Sequence, residues 1–446
     1  MSQLEQSRRE VLALGVTATG SAILSGCLGN VGGDGTTAET NGPTSTGAAT
    51  TGTEGETGTT TPTPTAAVGT WPTLRGNVAR AGADPDAAGP AENLTKDWQS
   101  EVETGYRPRV TTSLAVADGS VYFGWTNTEN YTGGTVASVS AADGSVEWEA
   151  KVGGFVSDSL TVRDGRVYGT AELDDEVKVV AISAADGTKQ WERSLPAPYV
   201  QGAIATAPTV TSDGVYVGNI DGVLYGFAPE DGSDRWRYES PDGHSFVTPA
   251  VVDGTVVAGT ALDSGFGADP LVVGLSGADG SELWRYEANG GYPDHPSVPA
   301  VSNGVAYVSG PESVHAVSVS DGSEQWSTEL PGGGYDAPAA SGDAVYVSGE
   351  EKTLGLSAAD GSVQWQSEMS FWREANHARK GPILARETLY GPTFADGRKV
   401  LGLSAADGSK QWEFDPGDEV FEEFVVAGEA VFTASDNDVY SFSGTP

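Results

Sequence analysis

Few side chains in this sequence carry reactive chemistry, and their spacing rules out most of it. Cys27 is the only thiol, and His244, His295, His315 and His377 are the only imidazoles. A single cysteine permits no intramolecular disulfide and no site built from several thiolates. No two histidines stand at metal-ligand spacing, and His315 falls within a predicted strand, where it reads as structural. Serines are frequent, yet none sits in a Gly-x-Ser-x-Gly turn leading into a helix. Phosphate-cradling glycine loops do not fit an all-β pattern. What the chain has in quantity is aromatic side chains, including eleven Trp. Their regular placement points to packing and binding rather than catalysis.

Charge narrows the partners. The chain carries 62 acidic and 24 basic residues, a net charge of −38. Such a surface cannot neutralise a phosphate backbone, so nucleic acid is excluded as a partner. Like charges at this density destabilise a compact fold at low ionic strength. In molar salt the screening length falls to about 3 Å and the repulsion is largely lost. The composition is therefore that of a protein adapted to high salt, as in an extreme halophile.

The N-terminus reads as an address. Arg8 and Arg9 precede an apolar run of residues 11–24, which is shorter than the roughly 20 residues that span a bilayer. The pair resembles a twin-arginine export signal, covering residues 1–26. Leu24-Ser25-Gly26-Cys27 resembles the lipobox of prokaryotic lipoproteins. Its small residues admit a peptidase, and the Cys27 thiol accepts the lipid. Residues 28–70 contain Thr, Gly, Ala and Pro but no aromatic, Lys or Arg. They cannot bury apolar surface and are expected to form a disordered tether, so that 27–70 makes an anchor plus tether. These features place the protein on the outer face of the cytoplasmic membrane, held there by lipid.

From residue 96 the sequence repeats. A small residue is followed, in register, by Asp-Gly-Ser or Asp-Gly-Thr and then Trp. The series gives Trp148, Trp191, Trp236, Trp284, Trp326, Trp365 and Trp412, about 45 residues apart. A period of that length with several short strands per unit predicts propeller blades. Blade five illustrates the four strands: 297–302, 305–309, 314–319 and 324–329. The Asp-Gly pair supplies a tight hairpin with positive φ at Gly. Each Trp is expected to pack between blades, with the small residue leaving room for a ring.

The ends supply an eighth blade. Three strands, 422–426, 430–434 and 439–443, close the sequence, with no Asp-Gly or Trp after them. The missing strand is predicted at residues 96–102, which carry Trp98. Pairing it with the C-terminal strands removes the open sheet edges. The expected fold is all-β: an eight-bladed propeller over 96–446, closed by an N-terminal strand, after a lead-in at 71–95.

The small-x5-Gly-x3-Trp spacing resembles the tryptophan-docking motif of the pyrroloquinoline-quinone (PQQ) repeat family. Two motif positions depart from that family's usual Asp and Thr. Trp71-Pro72-Thr73-Leu74-Arg75-Gly76-Asn77 resembles the lead-in of such propellers. The family includes quinoprotein dehydrogenases and the non-enzymatic lipoprotein of the bacterial β-barrel assembly machinery. The resemblance leaves two functions open. As an enzyme the chain would hold PQQ with Ca²⁺; Cys27 lies outside the propeller, so the cysteine pair that covers PQQ in alcohol dehydrogenases is missing. As a binding module it needs no cofactor, and none is predicted.

The binding alternative has candidate residues. Loops from each Trp strand to the next inner strand emerge on one face and carry Tyr106, Phe155, Tyr199, Phe246, Tyr292, Tyr335, Trp372 and Phe421. His244, Asp294, His295, Asp336, Arg373, Glu374 and His377 lie beside them, and Arg107 and Arg109 add positive charge. Such rings form a binding rim or plug the central funnel. The leading expectation is a monomeric surface scaffold that engages protein or another macromolecule.

Overall fold

The computed structural model describes residues 69–444, apart from 78–79, 85–86, 88, 90–93, 102–107, 128–131, 174–175, 197–204, 242–244, 262–270, 288–296, 311–312, 331–335, 350, 372–380, 394–398, 416–422 and 436. These residues belong to one compact unit, Pro62–Pro446. Its described part is strand and turn throughout, without a helix.

Eight small sheets form an eight-bladed propeller. Blades one to seven cover residues 108–151, 155–196, 209–239, 245–287, 300–329, 339–367 and 383–414. Blade eight joins Glu423–Ala427, Ala430–Ala434 and Asp438–Ser443 to the N-terminal Thr95–Glu101. Thr95 pairs with Ser443, Trp98 with Ser441 and Glu101 with Asp438, antiparallel. The ring is thus closed by hydrogen bonds between its two ends, as the truncated last repeat requires.

Alternation along the strands explains the layering. In Glu324–Glu329 only Trp326 is buried, while its neighbours face solvent or the blade edge. The second and third strands of that blade, Val305–Ser309 and Ser313–Ser318, are buried almost throughout, as strands covered on both faces must be. The core is consequently divided into slabs of Val, Ala, Leu and aromatic side chains between neighbouring blades.

Seven hairpins between the third and outer strands carry Asp-Gly. Gly322 stands at φ 72° and Gly144 at 71°, the left-handed region that glycine adopts without strain. The Asp fixes the turn: Asp321 Oδ1 accepts the Ser323 backbone N–H at 3.1 Å and its hydroxyl at 2.7 Å. These donors hold the Asp321 carboxyl below its ordinary range.

Candidate functional site

The repeated Trp joins each blade to the next. Trp98 Nε1 donates to Ala141 O at 3.0 Å, Trp148 to Ala184 O at 2.8 Å, and Trp191 to Pro229 O at 3.0 Å. Trp236, Trp284, Trp326 and Trp365 donate likewise to Gly277, Val319, Ala358 and Ala405. Each of these seven rings lies on the turn glycine of the following blade; a Cβ at Gly322 would come within 2.8 Å of Trp284. The small residue of the motif faces the Trp of its own blade, as Gly274 faces Trp284. A Cβ there would sit 2.1 Å from the ring.

Sequence reasoning missed a second aromatic layer. Tyr122, Tyr168, Tyr216, Tyr307, Tyr346 and Tyr390 pack on the Trp of their own blades, with ring centroids 5.5–6.0 Å apart. Phe432 does the same for Trp98. Trp412 departs from the series. Like Trp365 it is only partly buried, but blade eight offers no Asp-Gly turn; an aromatic cluster of Phe414, Phe442 and Tyr440 fills that seam.

The propeller axis is filled by the lead-in. Inner strands line the axis of a propeller, and residues 71–89 touch those of seven blades. Trp71 exchanges backbone hydrogen bonds with Val116 of blade one, and Pro72 O accepts from Val162 of blade two. Arg80 reaches blades three and four, and Arg75 donates to Pro338 O of blade six. Ala83 and Asp84 add a parallel strand to blade seven. Gly89 N donates to Gly428 O of blade eight at 2.9 Å. Trp71 and Arg80 are almost fully buried. Burial lowers the Arg75 guanidinium to about 10, opposed by the nearby Asp336 carboxylate.

Antiparallel order puts each blade's connection to the next blade on one face, together with the hairpin between its second and third strands, and puts the hairpins between its first and second and its third and fourth strands on the other. Most of the proposed rim lies outside the described residues: Tyr106, Arg107, Tyr199, His244, Tyr292, Asp294, His295, Tyr335, Trp372, Arg373, Glu374, His377 and Phe421. The same holds for Arg8, Arg9 and Cys27. Arg109 is half-buried on Pro108–Val110, opposite Thr126. Phe155 begins a strand and is half-buried. Two rim residues belong to the interior instead. Phe246 is buried against Tyr238 at the seam of blades three and four, and Asp336 is buried near Arg75. Phe371, at the start of the longest loop, is buried beside Gly391 of blade seven.

The blade seams also gather polar groups. Tyr238 of blade three donates to Glu282 Oε2 of blade four at 2.6 Å, and Arg285 clamps the same carboxylate. Burial, then Glu282, push the Tyr238 hydroxyl up to about 12. At the next seam Tyr286 bonds both Glu324 and His315, with Nδ1 at 3.0 Å, and Ser313 Oγ lies 2.8 Å from His315 Nε2. Burial pulls His315 below the ordinary imidazole value, against the pull of Glu324. His315 is a seam residue.

Among the described residues no group of three His, Cys, Asp or Glu could hold a metal ion. The stretch of axis they line is occupied by Trp71, Arg75 and Arg80, whose polar atoms are engaged by the chain itself.

Solved structures share the fold at low identity. BamB from Moraxella catarrhalis superposes with a TM-score of 0.58 at 16% identity, covering 79% of this chain and 98% of its own. Quinohemoprotein alcohol dehydrogenase from Comamonas testosteroni gives 0.61 at 15%, covering 86% and 82%. Sqt1 from Saccharomyces cerevisiae gives 0.60 at 12%, covering 79% and 99%. No curated protein matches. The family profile described as outer membrane protein assembly factor BamB matches residues 92–261 and 268–413. Those two stretches hold all of the docking repeats described above, and the chain belongs to this PQQ-like β-propeller family.

Proposed function

We propose that this chain is a non-catalytic binding scaffold that engages protein segments through its long-loop face. The observation that carries the reading is the division of labour in the ring. The axis is filled by the chain's own lead-in, and the described hairpins of blades one to seven on the opposite face are tight turns. Variable connections, and the aromatic and basic residues among them, collect on the remaining face. The family's assembly-factor description favours a protein-interaction role. In this proposal Cys27 carries the lipid, Arg8 and Arg9 direct export, and the tether holds a monomer at the outer face of the cytoplasmic membrane.

The test is a pull-down from native membranes using wild type and the double variant Trp372→Ala, Arg373→Ala. An aromatic beside Arg is the composition of an interaction hot spot. The variant should melt as wild type does and lose its partners. A large fall in melting temperature, or an unchanged partner set, would count against this face. The competing reading, a divergent quinoprotein dehydrogenase, predicts a new absorbance band when PQQ and Ca²⁺ are added to the purified protein; the scaffold reading predicts none.

A further inference from the structure

Every nitrogen of the Arg80 guanidinium faces a hydrogen-bond acceptor. A guanidinium presents five N–H groups in a fixed plane. Arg80 Nη1 donates to Thr73 Oγ1 at 2.6 Å and Leu74 O at 2.7 Å. Nη2 donates to Thr209 Oγ1 at 2.6 Å and Pro208 O at 3.2 Å. Nε faces Pro249 O at 3.4 Å. Three of these five acceptors belong to the inner strands of blades three and four or the residues just before them, and two belong to the lead-in.

The surrounding hydroxyls are polarised towards the same occupant. Thr209 donates its proton to Pro249 O at 2.7 Å, which leaves its lone pairs for Arg80. Thr161 donates to Pro208 O at 2.6 Å. The 2.7 Å contact between Thr73 and Thr161 is then donated by Thr73, whose lone pairs also turn to Arg80. Two relays therefore run outward, from guanidinium through hydroxyl to a prolyl carbonyl. A proline contributes a carbonyl without an N–H, so this collar has acceptors in excess and lacks donors to offset them. An occupant that accepts hydrogen bonds would reverse both relays, and an ammonium, with three donors, leaves acceptors unmet.

We propose that the propeller axis is a guanidinium-binding collar, specific for that planar cation over ammonium or potassium, which the chain occupies with its own Arg80. The collar draws acceptors from blades three and four and, through Thr73 and Thr161, from blade two. Its occupant therefore ties three inner strands to the lead-in. Ring stability is set by filling this site as well as by docking of the tryptophans.

Chemical rescue tests the site on the full-length protein in molar KCl. Arg80→Ala should lower the melting temperature by about 5 °C, the effect of stranding buried acceptors of a charged group in a domain this large. Millimolar guanidinium chloride should restore most of that loss in Arg80→Ala, while the same addition of KCl or ethylammonium chloride should not. Wild type should gain nothing from guanidinium. Arg80→Lys should stay destabilised, because its ammonium cannot match the plane. If Arg80→Ala is recovered only unfolded, refolding yield with and without guanidinium provides the same readout. An Arg80→Ala protein that melts as wild type, or a loss that guanidinium does not restore, or equal rescue by all three salts, would overturn the proposal.

Discussion

At the scale of single residues, the docking Trp and the turn glycine form one contact seen from two sides. Trp326 is buried and its indole donates to Ala358 O. Trp326→Ala should cost about 3–5 kcal/mol, as for other buried large side chains, measured by thermal melting. Trp412 is partly exposed and lacks an indole acceptor among the described residues. Trp412→Ala should cost less than Trp326→Ala. The glycine side gives a matched pair. Gly322 and Gly304 share φ values of 72° and 73°, but only a Cβ at Gly322 would strike a Trp ring. Both Ala substitutions pay about 1–2 kcal/mol for left-handed backbone; Gly322→Ala should lose clearly more. Equal losses would mean that the ring does not rest on the turn.

Titration belongs at this scale too. The turn carboxyls, Asp143, Asp186, Asp321 and Asp407 among them, are held below their ordinary value by Ser or Thr donors. Glu413 falls to about 2, mainly through the hydrogen bonds from Lys410 and Lys399. A depressed carboxyl stabilises the fold above its unfolded pKa and loses that contribution as pH falls through the folded one. His315 is also depressed, so its contribution is present above about pH 6.5 and fades below it. The melting temperature should therefore be level above neutrality, dip slightly through the imidazole range, and drop steeply between about pH 4 and pH 2. His315→Gln should abolish the upper step and leave the acid step intact.

At the scale of elements, two truncations separate the N-terminal segment from the lead-in and closing strand. Removal of residues 1–68 should leave the melting temperature unchanged, because the first ring contacts among the described residues are at Gly69 and Trp71. Removal of 1–101 takes away both the lead-in and Thr95–Glu101 and exposes the edge of Asp438–Ser443, which should produce aggregation. The closing strand was legible in the sequence because the last repeat lacks its Asp-Gly turn and its Trp, while Trp98 stands unclaimed near the start. The role of Arg75 and Arg80 was not legible. Their acceptors are mostly backbone carbonyls and hydroxyls far along the chain, which leave no charge pattern. The one available hint was the proline recurring before the inner strands, at Pro208, Pro249, Pro299 and Pro338. The small motif residue was visible, but which ring it faces depends on cross-strand register, as with Gly274 and Trp284.

At the scale of the whole molecule, charge and face decide behaviour. With a net charge of −38, low ionic strength unscreens carboxylate repulsion across the ring. Dialysis from molar to low salt should abolish near-ultraviolet Trp dichroism, and an unchanged spectrum would remove the high-salt argument. Of the proposed binding rim, Phe246 and Asp336 proved to be interior residues, because a residue three or four positions before an inner strand turns inward as readily as outward. The rest of the rim rests on sequence placement. The central claim is that the long-loop face is the working surface. Hydrogen exchange of the protein alone and in complex with partners captured from native membranes tests it most directly. The account predicts protection concentrated in the connections that enter inner strands, such as 197–204, 288–296 and 372–380, with the Asp-Gly turns unchanged. Protection centred on those turns instead, at Asp143, Asp186, Asp279 and Asp321, would contradict it.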